Sequence, residues 1–221
     1  MGHVILRAER YLKLDVAGHQ ARMVVSLTLG PEEGRRVLSA ADGDEDGRVT
    51  TDEANAYLAQ WGEGLRTELP LSVDEDPLVA AWGDGYFEPI GAVRAMPLTV
   101  EMVARFELEG GEQTVRFEDR MVRREVFERT DVAFDVRDGA ELLESGVNGE
   151  ADGPTPDLMY GGTFRAGQPV PLYARLRTPA PEPAPEGSML WRWGGAVVAI
   201  ALGLLVTWIR RRRQNDEARP S

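Results

Sequence analysis

The run from Val103 to Asp119, "VARFELEGGEQTVRFED", decides the fold class. Before its glycine pair, Phe106 and Leu108 alternate with Arg105, Glu107 and Glu109; after it, Val115 and Phe117 alternate with Thr114, Arg116 and Glu118. A period of two puts apolar side chains on one face of a strand and charges on the other. Gly110-Gly111 is a two-residue turn signal, because glycine readily adopts the positive φ that tight hairpins require. The run therefore predicts two strands joined as a hairpin.

The same grammar recurs on both sides. "ILRAERYLKLDV" and "ARMVVSLTL" flank Gly18 and predict a second hairpin, and "VAFDV" and "AELLES" do the same around Asp138-Gly139. Further strand candidates are "LRTELPLSV", "AVRAMPLTV" and "VPLYARLRT". Many short strands with regular turn signals predict a mainly β domain over residues 1–177, of antiparallel β-sandwich type. No repeat of solenoid period is present.

Helical signals concentrate between Pro31 and Trp61. "PEEGRRVLSAA" and "TTDEANAYLAQW" bracket the twelve residues "DGDEDGRVTTDE", Asp42 to Glu53, of which six are carboxylates. Charges packed this densely repel, so a cation is the natural counterpart. Asp42, Asp44 and Asp46 stand at alternate positions and Gly47 follows, where a sharp turn brings the Arg48 carbonyl inward. Val49 is placed to pack, Thr50 to cap the exiting helix, and Thr50 with Glu53 reads as a capping box. Glu53, carried by that helix, offers two oxygens. This spacing resembles the EF-hand of calcium-binding proteins over about thirty residues, 31–61. The resemblance implies an inserted helix–loop–helix holding Ca2+. It also implies Asp42, Asp44, Asp46 and Glu53 as side-chain ligands, Arg48 through its carbonyl, and Thr50 directly or through water. "NGEADGPTPDLM", Asn148 to Met159, imitates the first half of such a loop. Met159 in the last position and prolines at 154 and 156 mark it as an ordinary turn-rich segment. EF-hands usually work in pairs and this chain has one, so the ion is expected to staple the fold rather than switch it.

The 221 residues carry a formal net charge of −12, which opposes nucleic-acid binding through the bulk field. The charge is unevenly spread. Residues 1–188 hold 19 basic and 35 acidic side chains, whereas residues 189–221 hold six arginines against Asp216 and Glu217. "WGGAVVAIALGLLVTWI", Trp193 to Ile209, contains no charge, and Trp191, Trp193 and Trp208 flank it as an aromatic belt would. Arg210 to Arg213 follow as a cationic stop. The expectation is one membrane helix over 189–209, a basic cytoplasmic tail over 210–221, and a Pro-rich linker over 178–188. The acidic β domain then lies outside the cytoplasm. The opening residues carry no apolar stretch of signal-peptide length, and a trimmed or reassigned start explains this better than a tail anchor. With no cysteine, disulfides and thiolate chemistry are excluded.

"ERYLKLDV" and "RFEDRMVRREVFERTDVAFDVRDGAELLES", Arg116 to Ser145, resemble the extracytoplasmic domain that precedes the membrane part of some bacterial nickel/cobalt-transporter-like proteins. That resemblance implies an export-side β domain and carries no transport activity, since one span replaces a multi-helix unit. The gathered reading is a single-pass, membrane-anchored calcium-binding protein with an unidentified protein partner and no enzymatic role. Its alternatives are a calcium-responsive accessory to a transporter or signalling partner, and a hydrolase using carboxylates such as Glu118 and Asp119. No nucleophile elbow or phosphate-binding glycine loop accompanies those carboxylates.

Overall fold

A computed structural model describes residues 7–121, 127–147, 150–151, 153–161 and 169–180. Of the expected linker only residues 178–180 are described, and the expected membrane helix and basic tail lie outside the described residues. Among the described residues no helix is long and apolar enough to cross a membrane.

The fold is mainly β. In chain order its elements are β1 (Ala8–Ala17), β2 (Gln20–Leu29), α1 (Pro31–Ala41), β3 (Arg48–Val49), α2 (Thr51–Glu68), β4 (Leu71–Val73) and β5 (Asp76–Leu78). There follow β6 (Ala81–Glu88), β7 (Gly91–Ala92), β8 (Leu98–Glu107), β9 (Gly111–Asp119), β10 (Phe127–Arg137), β11 (Glu141–Val147), β12 (Glu150–Ala151), β13 (Asp157–Gly161) and β14 (Val170–Thr178). One six-stranded sheet runs β13-β10-β1-β2-β8-β6 and the other β12-β11-β14-β9-β4-β5, with β3 and β7 forming a separate short ribbon.

The alternation that marked the strands also sets their burial. Leu12, Leu14 and Val16 of β1 and Met23 and Val25 of β2 enter the same core as Val115 and Phe117 of β9 and Leu172, Ala174 and Leu176 of β14. The two sheets meet there: the Phe117 and Phe134 rings lie 6.3 Å apart, and Arg10 of β1 reaches Asp119 of β9.

Three expectations are corrected. The Gly110-Gly111 hairpin does not form, because β8 pairs with β2 and β6 while β9 pairs with β14 and β4. The chain passes from one sheet to the other at that turn. Gly110 is required there, since a Cβ would stand 2.7 Å from the Ala180 Cα. Asp138-Gly139 likewise joins β10 to β11 across the sheets. Turn residues report that the chain reverses, not which strand it then pairs with. The sheets are also not wholly antiparallel: β1 and β10 run parallel, with Leu12 opposite Val132 and Val16 opposite Val136. So many residues separate these two strands that no tight turn dictates their direction.

Helix α2 continues to Glu68, seven residues past Trp61, and takes the first part of the strand expected at "LRTELPLSV". Its buried residues Ala54, Leu58, Gly62 and Leu65 keep the helical spacing of three and four. Gly62 acts as a contact rather than a breaker, because a Cβ there would meet the Met102 Cε at 2.7 Å. Helix α1 starts with Pro31 at its first turn and Glu32 and Glu33 beside the positive end of its dipole. It buries Gly34, Leu38 and Ala41.

On the sheet face opposite Leu14 and Val16, Asp15 is only 1% exposed. It accepts from Arg22 Nε at 2.6 Å and from Arg137. Burial raises its pKa, but the two guanidiniums outweigh burial and hold the carboxyl below its usual 3.8. A depressed folded-state value means the stabilisation is present above 3.8 and fades as pH falls toward and through the folded value. Asp15→Asn should therefore cost about 2 kcal/mol at pH 7 in urea unfolding. The deficit should close only as pH falls below the depressed folded-state value, where the parent carboxyl is also neutral.

Candidate metal centre

The acidic loop hangs between two well-defined helix ends. The Asp42 amide closes the last turn of α1 on the Leu38 carbonyl at 3.0 Å, so the loop starts at a fixed point. At the other end Thr50 caps α2. Its hydroxyl accepts from the Glu53 amide at 3.3 Å, while Glu53 Oε2 accepts from the Thr50 amide at 2.8 Å. The capping box read from the sequence is present.

Between these points the chain curls. Gly47 has φ +83°, which glycine adopts without strain. Glu45, with φ +60°, is the non-glycine residue that accepts this conformation within the loop. The curl turns backbone N–H groups inward onto the carboxylates. Asp42 accepts from Asp46 and Gly47 at 3.1 and 3.0 Å, Asp44 from Asp46 at 3.1 Å, and Asp46 from Arg48 at 2.8 Å. Asp42, Asp44 and Asp46 each bring a carboxylate oxygen to within 4.8 Å of the others. Asp42 is half-buried and the other two are exposed. Such a group of hard oxygens is suited to a hard cation.

The remaining expected ligands stand differently. Glu53 spans the loop rather than joining the three aspartates: Oε1 accepts from the Gly43 amide at 2.8 Å, and Oε2 from the Thr50 amide and hydroxyl. Hydrogen bonds from Thr50, first its amide and then its hydroxyl, with help from Gly43 and Asp44, lower the Glu53 pKa to about 2. The side chain is thus ionised at neutral pH and ties the first turn of the loop to its last. Arg48 and Thr50 flank Val49, which is 2% exposed and anchors the loop in the core.

One feature has no sequence signal. The loop residues Arg48 and Val49 pair antiparallel with Ala92 and Gly91, and the Val93 amide donates to the Gly47 carbonyl at 2.9 Å. The run from Ala92 reads as extended chain, but nothing in it names the loop as its neighbour. The carboxylates considered for acid–base chemistry do not converge. Consecutive on β9, they point to opposite faces: Asp119 is buried against Arg10, and Glu118 pairs with Arg120 at 2.9 Å. No protein-family model matches the chain, and no curated protein matches it.

Proposed function

We propose that the loop Asp42–Glu53 binds one calcium ion and that the chain is an EF-hand-type protein built on a β-sandwich-like domain. The observation that carries this reading is the convergence of Asp42, Asp44 and Asp46 to within 4.8 Å at a glycine turn between two helices. Asp42, Asp44 and Asp46 would supply monodentate oxygens, Arg48 its carbonyl, and Thr50 a direct or water-mediated contact. Glu53 would exchange its amide partners for the ion and bind with both oxygens. Calcium's shell of six to eight oxygens accommodates a bidentate carboxylate better than the octahedron of magnesium. The ion's role is structural, joining the end of α1 to the start of α2. The uncharged run from Trp193 to Ile209 and the arginines after it support a single membrane span, with this domain outside the cytoplasm.

Calorimetric titration of the full chain tests the reading, with thermal melts in chelator and in calcium. A one-site isotherm is expected, with a Kd of about 10⁻⁴ to 10⁻³ M as for extracellular modules. At a hundred times Kd the ion should add about 2.7 kcal/mol, or about 5–10 °C in melting temperature for a domain of this size. Glu53→Gln should lose both the heat and the shift. No heat and no shift in the parent chain would reduce the loop to solvated surface.

A further inference from the structure

We infer that the segment Gly91–Val93 sets the cation affinity of the acidic loop, acting from within the chain as the loop's second strand. The inference rests on the loop being a cation site. Three aspartates held within 4.8 Å of one another repel, so the loop needs fixed points to stay converged. The Val93 amide supplies one, at 2.9 Å from the Gly47 carbonyl. That carbonyl shares a rigid peptide plane with the Arg48 N–H, which donates to Asp46 Oδ1 at 2.8 Å. A proton donated at one side of the plane thus aims the carboxylate held at the other. The Arg48–Ala92 and Val49–Gly91 pairs keep the two backbones in register beside it.

The brace is itself tied down. The Met96 amide donates to the Pro31 carbonyl at 3.2 Å, joining the segment to the first turn of α1. The Met96 carbonyl lies where a Cβ on Gly34 would be 2.2 Å away, so α1 and this segment touch backbone to backbone. On the other side Phe87 meets Tyr57 of α2 edge-on, with centroids 5.8 Å apart. Both helices leaving the loop and the loop's own turn are therefore fixed to one stretch of the β domain. A lone loop supported in this way needs no second loop and no second copy of the chain.

Val93 is thus a positioning residue, acting through the Gly47–Arg48 plane. Two substitutions separate its amide from its side chain: Val93→Pro removes the N–H, and Val93→Ala keeps it while trimming the packing. Calcium titrations of the full-length parent and both variants should show Val93→Pro weakened about three- to tenfold, the worth of one hydrogen bond. Val93→Ala should stay within about twofold of the parent, and the parent Kd should not change with protein concentration. Because coupling is reciprocal, the Val93 amide in the parent should exchange with solvent more slowly in calcium than in chelator. That measurement decides the matter alone if Val93→Pro fails to fold. Equal binding by Val93→Pro, equal losses in both variants, or unchanged exchange at Val93 each overturn the inference. A parent chain that binds no calcium removes the cation reading itself, and the inference falls with it.

Discussion

Asp119→Ala should cost about 3–5 kcal/mol, a large share of the 5–15 kcal/mol that holds a typical domain together. Arg10 and Asp119 have no exposed side-chain surface. The guanidinium donates to Asp119 Oδ1 at 2.9 Å and to the Thr130 hydroxyl at 3.0 Å, and it sits 4.6 Å over the Phe127 ring. Removing the carboxylate leaves a cation in the core, where water cannot solvate it. The size of the loss comes from that stranded charge rather than from the attraction of the pair. The double change Arg10→Met with Asp119→Leu, which removes both charges and keeps the volume, should recover most of it. Urea unfolding of the single and double variants gives the comparison. A double variant as weak as Asp119→Ala would show that the pair stabilises in its own right.

Phe117→Ala should be of similar size, about 3–5 kcal/mol, for a different reason. Phe117 is 2% exposed and lies on β9 between Leu71 of β4 and Leu172 of β14, facing Phe134 of the other sheet. Truncation loses the transfer energy of the ring and leaves a cavity between two hydrogen-bonded layers that cannot collapse into it. Phe117→Leu, which fills much of the space, should cost about 1–2 kcal/mol. Denaturant midpoints at an unchanged slope are the readout. Equal costs for the two substitutions would show that the ring's shape, not its volume, is what the site requires.

These sites also show how far the sequence could be read. The alternation in "EQTVRFED" correctly put Val115 and Phe117 on one buried face, but it gave no sign that the polar Gln113 and Asp119 share that face. It could not name the partners, because a period of two describes one strand and hydrogen bonding joins two. Both misread hairpins fail for that reason. The Gly110-Gly111 and Asp138-Gly139 turns have hairpin chemistry, yet each carries the chain between layers. The end of α2 was missed because Gly62 and Gly64 look like breakers in one dimension, whereas Gly62 is the price of close approach to Met102. The acidic loop was legible because its spacing, its glycine and its capping box are all local. The strand that braces it was not. Two residues are too few to carry a pattern, and their partner lies more than forty positions away.

The parallel pairing of β1 with β10 bears on how the domain comes into being. Arg10 and Asp119 are 109 residues apart, and β1 fills a central place in its sheet between β10 and β2. The β1–β2 hairpin therefore lacks one neighbour until β10 has been made. At about 5–20 residues per second that wait is on the order of ten seconds. Closure then joins segments remote in sequence, which slows folding further. For that interval the nascent chain remains open, with the backbone N–H and C=O groups along one side of β1 unpaired.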